Sequence, residues 1–135
     1  MITAVDTNVL IDVFANDPTF GHPSADRLRE CLRDGAVVAC EVVWSETCSV
    51  FPSEVAFQEQ MKDLGIRYSP LEGASALLAG RIWRDYRAAG GLKNRVVADF
   101  LIAAHAQLQC DHLLTRDRGF YRSLFRNLKI VEPKP

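Results

Sequence analysis

Short apolar segments of the kind that form buried strands alternate with segments of helical periodicity along the chain. The strand-like segments are residues 2–5, 36–40, 66–68, 112–115 and 128–131. Two parallel strands that are neighbours in a sheet need a crossover connection between them, and this connection is usually a helix. The alternation therefore predicts an α/β fold, specifically a three-layer α/β/α sandwich around a central parallel sheet.

Apolar residues at three- and four-residue spacing mark the helices between these strands. The predicted helices cover residues 9–14, 23–33, 42–50, 53–64, 71–89, 95–109 and 120–125. Pro52 separates the third helix from the fourth because proline cannot continue a helix interior. Gly35, Gly65 and the Gly90–Gly91 pair follow three of the helices, as glycine often does at a helix C-terminus.

The length and the hydropathy pattern limit the organisation of the chain. Its 135 residues, 48% of them hydrophobic, fit a single domain, residues 1–135, with one hydrophobic core. No window approaches the ~20 consecutive apolar residues that span a bilayer. The N-terminus also lacks the basic region, apolar run and cleavage site of a secretory signal. We expect a cytoplasmic protein that is not associated with a membrane.

Cysteine spacing and net charge limit the classes of function. The four cysteines are far apart and form no C-x-x-C pair, which argues against a zinc knuckle or a redox dithiol and favours buried free thiols. The formal net charge of −1 gives no general attraction to polyanions. Basic residues are nevertheless concentrated at 81–95 and 116–129, where solvated helix faces and phosphate contacts are both open interpretations.

Two aspartates follow predicted strands. Asp6 comes directly after the first strand, and Asp117 follows the segment LLT near the C-terminus. Ligand crevices in open α/β sheets form at the carboxyl ends of the strands, so both side chains are positioned for chemistry. A helix N-cap for Asp6 and a turn for Asp117 are the ordinary structural alternatives.

Two further acidic residues occur on helices that should be buried. Asp99 is the only acidic residue in RVVADFLIAAHA, and a helix that is apolar almost all the way round belongs in the interior. Glu46 shares a helix face with Val42 and Val50 by the i, i+4 rule, so it too is predicted to point inward. The alternatives are stabilisation of Asp99 by the helix dipole and an ion pair between Glu46 and an arginine.

These four acidic residues can converge at one rim of the sheet, if the two helices cover the strand ends. Carboxylates in a site of low dielectric repel one another unless a multivalent cation compensates their charge. A ligand set made only of oxygen atoms suits Mg²⁺ or Mn²⁺ rather than zinc. Such an ion would activate water for phosphodiester hydrolysis. No Ser-His-Asp or Cys-His arrangement that would supply a protein nucleophile is apparent.

Four segments match a known family in their order and spacing. They are VDTNVLID at the start, then VVWSE, then ADFLIAAHA, and finally LLTRDRGF followed by a short strand. Together they resemble the PIN-domain ribonucleases, and within these the VapC-like toxins of bacterial and archaeal type II toxin–antitoxin pairs. The resemblance covers essentially the whole chain. The segment FPSEVAFQEQM is the part that varies most in such proteins, so the resemblance implies nothing about substrate fit or partner surface there.

The resemblance implies a catalytic, metal-binding acidic set that coincides with the set reached from the strand ends and helices. Its members are Asp6, Glu46, Asp99 and Asp117. The resemblance also implies that three polar residues lie beside this set, namely Thr7, Asn8 and Thr115. Among these, the side chain of Asn8 is expected to orient a carboxylate.

Three charged residues close to these motifs are interpreted separately. Asp12 falls beyond the functional core of the first motif, and we interpret it as a helix-surface residue or as a support behind the acidic set. Arg116 and Arg118 flank Asp117, so we expect them to contact RNA phosphates.

The resemblance further implies a Mg²⁺- or Mn²⁺-dependent endoribonuclease that acts as a toxin on single-stranded or loop RNA. It implies a homodimer, and neutralisation by a small antitoxin whose C-terminal segment lies in a groove of the domain. The alternative is a catalytically silent PIN-like scaffold that binds RNA or protein, which the presence of all four acids disfavours. A receiver-like phosphoacceptor domain ranks lower, because it needs a lysine after the last strand and only EPKP follows here.

Overall fold

A parallel sheet forms the centre of the structure, a computed structural model that describes residues 1–91 and 96–134. Its strands are β1 (Ile2–Val5), β2 (Ala36–Ala39), β3 (Ile66–Tyr68), β4 (His112–Leu114) and β5 (Ile130–Val131). They lie in the order β3-β2-β1-β4-β5, and each neighbouring pair is parallel. The prediction of an α/β fold with a central parallel sheet is confirmed.

Helices connect the strands in the alternation that the sequence predicts. They are α1 (Thr7–Phe14), α2 (Gly21–Asp34), α3 (Glu41–Cys48), α4 (Glu54–Leu64), α5 (Gly73–Ala88), α6 (Val97–Gln109) and α7 (Arg118–Leu124). Most of the predicted bounds are within two residues of these. The third helix ends at Cys48, two residues earlier than predicted, and a turn leads from it to Pro52. The predicted helix start at Arg95 lies outside the described residues.

The order of the strands determines how the helices are layered. From β1 the chain proceeds through β2 to β3 at one edge, then crosses back to β4 and ends at β5 on the other edge. Because crossovers between parallel strands are right-handed, α1 to α4 cover one face of the sheet and α5 to α7 cover the other. The direction of winding changes between β1 and β4, so a crevice forms at the carboxyl ends of these two strands.

The core lies between the sheet and the two helical layers. The central strands contribute side chains that are almost fully buried, and α6 buries Phe100 and residues 102–106, as its apolar sequence predicts. All four cysteines are free thiols, two of them buried and two half-buried. In the described part of the chain, no helix combines the length and the apolar character needed to cross a membrane.

Gly35 is the one residue that joins α2 to β2, and it lies against the N-terminus of the chain. Its backbone φ is 157°, and a Cβ at this position would overlap the carbonyl oxygen of Met1. The same oxygen accepts a hydrogen bond from the backbone N–H of Ala36 at 3.0 Å, which aligns the start of β2 with the start of β1. The close approach of the two chain segments therefore requires glycine.

We predict that Gly35→Ala lowers the free energy of unfolding by about 1–3 kcal/mol, because the new methyl group forces the β1–β2 pairing apart. Urea denaturation monitored by circular dichroism measures this change. Gly80→Ala is the matched control, since Gly80 is an exposed residue of α5 with no atom within 4 Å of the position of a Cβ. It should gain about 0.5–1 kcal/mol. Equal stability of the two variants would contradict the prediction.

Candidate active site

Asp6 is the first residue after β1 and lies at the crevice between β1 and β4. Its Oδ1 accepts a hydrogen bond from the backbone N–H of Thr7 at 2.7 Å, so the residue caps α1. Its Oδ2 accepts hydrogen bonds from Thr115 Oγ1 at 2.8 Å and from Tyr121 Oη at 3.0 Å. The residue is only 5% exposed. Asp6 is thus both the helix N-cap that the sequence allowed and an acidic side chain that faces the crevice.

The environment of Asp6 disfavours the ionised carboxylate. Burial raises the pKa of this carboxyl from its ordinary value of 3.8 to about 6. The hydrogen bonds from Thr115, Tyr121 and Thr7 lower the pKa but do not offset burial, and the charge of Asp99 raises it further. Among the described residues, no positive charge acts on the Asp6 carboxyl to compensate its ionised form.

Asn8 and Thr115 connect the end of β1 to the end of β4. The side-chain amide of Asn8 donates to Asp6 Oδ2 and to Thr115 Oγ1, both at 3.4 Å, and its Oδ1 accepts from the backbone N–H of Arg116 at 3.3 Å. Thr115 Oγ1 in turn accepts from the backbone N–H of Asp117 at 3.0 Å. Two neutral side chains therefore hold the backbone that carries Asp117 against the carboxylate of Asp6.

Tyr121 is a residue of this site that the sequence interpretation missed. It is 1% exposed and donates its hydroxyl proton to Asp6. Burial raises the pKa of its phenol well above the ordinary value of 10, and the charges of Asp6, Asp99 and Asp117 raise it further. The phenol consequently remains a hydrogen-bond donor. Its position four residues after Asp117, on the same side of α7, is the sequence signal that could have identified it.

Asp99 and Asp117 belong to the electrostatic surroundings of Asp6. Asp99 lies in the first turn of α6, Asp117 is the N-cap residue of α7, and both are half-buried. The charge of Asp99 acts on Asp6, and the charges of both residues act on Tyr121. Asp99 was predicted to be buried with the rest of its helix. It is less buried because the first turn of α6 reaches the rim of the sheet.

Glu46 is an exposed residue at the edge of this site, so the prediction that it points inward is wrong. The face of α3 that packs on the protein contains Val43 and Thr47, one residue further along the helix than the face predicted from Val42. Glu46 Oε1 accepts a hydrogen bond from Thr7 Oγ1 at 2.7 Å. Thr7, whose backbone N–H donates to Asp6, therefore links Glu46 to the site by a hydrogen bond on the solvent-exposed side.

Both arginines that flank Asp117 form ion pairs. Arg116 donates to both carboxylate oxygens of Asp12, from Nε at 2.6 Å and from Nη2 at 3.0 Å. Asp12 is 3% exposed. Its interpretation as a helix-surface residue is therefore wrong, and its charge is compensated by Arg116, which reaches it from the protein surface. Arg118 donates from Nη1 to Glu132 Oε1 at 2.8 Å, and this pair is more exposed.

The donor atoms of the site suit a hard divalent cation. They are carboxylate, hydroxyl and amide oxygens, and no cationic side chain in the described part of the chain acts on the buried carboxylate of Asp6. Within residues 1–91 and 96–134, no three acidic, histidine or cysteine side chains are close enough together to hold a metal ion. The predicted convergence of four carboxylates in one cluster is therefore not found among these residues. Mg²⁺ usually keeps several waters and is bound through one or two carboxylates, so a site for it does not require such a cluster.

Comparisons with known proteins identify the family. Among solved structures, a chain of VapBC2 from Rickettsia felis bound to a promoter DNA fragment superposes with a TM-score of 0.76, at 16% identity over 99% of this chain and 100% of that one. A chain of VapBC-1 from nontypeable Haemophilus influenzae superposes with a TM-score of 0.73, at 20% identity over 98% of each chain. At such low sequence identities, these superpositions establish a likeness of fold alone. No curated protein sequence matches. The model of the PIN domain family matches residues 3–123, and the chain therefore belongs to the PIN-domain family.

Proposed function

We propose that this protein is a divalent-metal-dependent endoribonuclease and the toxin of a type II toxin–antitoxin pair. The observation that carries the chemistry is the carboxylate of Asp6, buried at the crevice with its pKa raised and with Asp99 acting on it. A bound Mg²⁺ or Mn²⁺ would supply positive charge that favours the ionised form of this carboxylate. Membership of the PIN-domain family and the likeness of fold to chains of VapBC complexes support the toxin assignment.

When bound, Mg²⁺ or Mn²⁺ would polarise a phosphoryl oxygen of the RNA and activate a water molecule for hydrolysis of the phosphodiester bond. One or two of the carboxylates of Asp6, Asp99 and Asp117 would hold the ion directly, and the others would act through its bound waters. Glu46 would belong to this acidic set at its exposed edge. In the described residues Asp6 Oδ2 accepts from three side chains, whereas Oδ1 accepts only from the backbone N–H of Thr7. Oδ1 is therefore the oxygen that retains acceptor capacity for a cation.

Neutral donors hold the proposed ligands in place. Thr115 and Tyr121 fix the rotation of the Asp6 carboxylate, and the raised pKa of Tyr121 keeps its hydroxyl proton on the phenol. The hydroxyl of Thr7 orients Glu46 toward the site. None of these residues serves as a nucleophile, because the attacking group in this mechanism is water.

The partners in this proposal are single-stranded or loop RNA, a small antitoxin and a second copy of the chain. Sequence-specific recognition of RNA mostly targets unpaired bases, which favours single-stranded or loop substrates. Arg118 is a candidate for phosphate contact because its ion pair with Glu132 is partly exposed, and exposed pairs exchange partners at little cost. An activity on cellular RNA would be exercised in the cytoplasm, where we expect the protein to act.

A cleavage assay tests the proposed activity. We predict that purified protein cleaves structured RNA in the presence of Mg²⁺ or Mn²⁺, and that Asp6→Asn and Asp99→Asn each lower the rate by about 10²-fold or more, because each variant removes charge from the proposed ion site. Asp63→Asn is the matched control, since it makes the same change on the exposed surface of α4 and should cleave normally. Equal cleavage by all variants would reject the assignment, whereas RNA binding without cleavage would favour the silent scaffold.

The raised pKa of Asp6 predicts how stability depends on pH in protein treated with EDTA. Folded Asp6 keeps its proton up to pH of about 6, whereas in the unfolded chain it ionises near 3.8. Its contribution to stability is therefore fully present below pH 3.8 and is lost as the pH rises through 6. The loss is at most about 3 kcal/mol.

Urea denaturation of wild type and Asp6→Asn between about pH 4 and 7.5 isolates this contribution, because the amide side chain of the variant cannot titrate. Wild type should lose stability relative to the variant as the pH rises, and added Mn²⁺ should restore stability only to wild type at neutral pH. Parallel pH profiles for the two proteins would contradict the prediction.

A further inference from the structure

Arg116 is fixed on two sides by residues that lie outside the acidic set. Its guanidinium forms the two-pronged ion pair with Asp12, and its Cζ lies 4.2 Å from the ring centroid of Phe20. Ser24, fully buried at the start of α2, donates to Asp12 Oδ2 at 2.9 Å. The side chain of Arg116 thus anchors the segment after β4 to both α1 and α2.

The backbone of Arg116 is bound by the same helix that binds its side chain. Asn8 and Asp12 are four residues apart on α1 and therefore lie on the same face of the helix. Asn8 accepts from the backbone N–H of Arg116, and Asp12 accepts from its guanidinium. Asn8 also donates to Asp6 Oδ2. The side chain of Asn8 therefore links the backbone of Arg116 to the carboxylate of Asp6.

Arg116 lies between the two residues of this segment that contribute to the site. Thr115 donates to Asp6 Oδ2, and Asp117 belongs to the proposed acidic set. The ion pair is only partly buried, because the side chain of Arg116 is 32% exposed and that of Asp12 is 4% exposed. Solvent near the arginine screens their attraction, so the pair gives modest net stability. Its bidentate geometry, however, fixes the orientation of the arginine much more strictly than a single hydrogen bond would.

We propose that Asp12 is a positioning residue that acts through Arg116 to hold residues 115–117 in register with Asp6. The inference rests on the proposed function in assuming that this site is catalytic. It assigns the guanidinium of Arg116 to the support of residues 115–117, in place of the phosphate contact expected from its position beside Asp117. Residues that orient metal ligands typically change metal affinity or activity about 10–100-fold when they are replaced.

The experiment compares Asp12→Asn, Arg116→Gln and the double variant with wild type. Asp26→Asn and Arg29→Gln are the matched controls, because these residues form an exposed ion pair on α2 with a distance of 2.7 Å. Three quantities are measured: kcat and KM for RNA cleavage at several salt concentrations, calorimetric affinity for Mn²⁺, and hydrogen exchange of individual backbone amides. Arg116→Lys, which keeps the charge but loses the fork, replaces any variant that fails to fold.

The positioning role predicts that Asp12→Asn and Arg116→Gln each lower kcat about 10–100-fold, with KM and its salt dependence nearly unchanged. The double variant should be no worse than the more impaired single variant, because both act through one contact. Affinity for Mn²⁺ should fall about 10-fold. Exchange should accelerate at the amides of residues 116 and 117, which donate to Asn8 and Thr115, but not at Leu113 in β4.

Three results would overturn the proposal. The first is an increase in KM for Arg116→Gln that grows with salt while Asp12→Asn remains active, since this is the behaviour of a phosphate contact. The second is additive losses in the double variant. The third is unchanged exchange at residues 116 and 117 in Asp12→Asn. If wild type cleaves no RNA, the proposed function fails, but Mn²⁺ affinity and hydrogen exchange still decide whether Asp12 positions the segment.

Discussion

The carboxylate of Asp6, buried at the end of β1, is the interaction on which the rest of the site depends. Its oxygens accept hydrogen bonds from α1, from the residue that follows β4 and from α7. Thr115, one of these donors, is 109 residues away in the chain. A single acidic side chain therefore joins the two central strands and a helix from each end of the sequence, at the place where the winding of the sheet changes direction.

The same carboxylate is held in an environment that opposes its charge. Burial alone would make the ionised form unfavourable, and Asp99 adds like charge instead of compensation. The donors around it are neutral, so they orient the oxygens without neutralising them. By contrast, Asp12 is equally buried but is paired directly with Arg116. Two buried aspartates, one at the N-cap of α1 and one within this helix, thus have opposite electrostatic settings. Asp12 is paired with an arginine of the same chain, whereas Asp6 is suited to an external cation.

Those parts of the site that depend on local sequence could be predicted, and those that depend on packing could not. Asp6 and Asp117 were identified because each follows a strand, and strand ends can be recognised from the alternation of apolar segments. Glu46 was placed on the wrong face because α3 has only eight residues, too few for apolar spacing to define the buried side within one residue. Tyr121 was missed because its spacing of four residues from Asp117 is also that of an ordinary core residue, and only the packing of α7 brings its hydroxyl to Asp6.

The sequence by itself determined that the chain forms a parallel α/β sheet and that Asp6 and Asp117 lie at the carboxyl ends of strands. Periodicity and turn residues report local conformation, and local conformation is sufficient for both conclusions. Only the tertiary structure decided that β1 and β4 are neighbours, that Tyr121 donates to Asp6 and that Arg116 pairs with Asp12. Each of these contacts joins residues that are far apart in the chain, and such contacts are selected by the packing of whole elements, which local spacing does not encode.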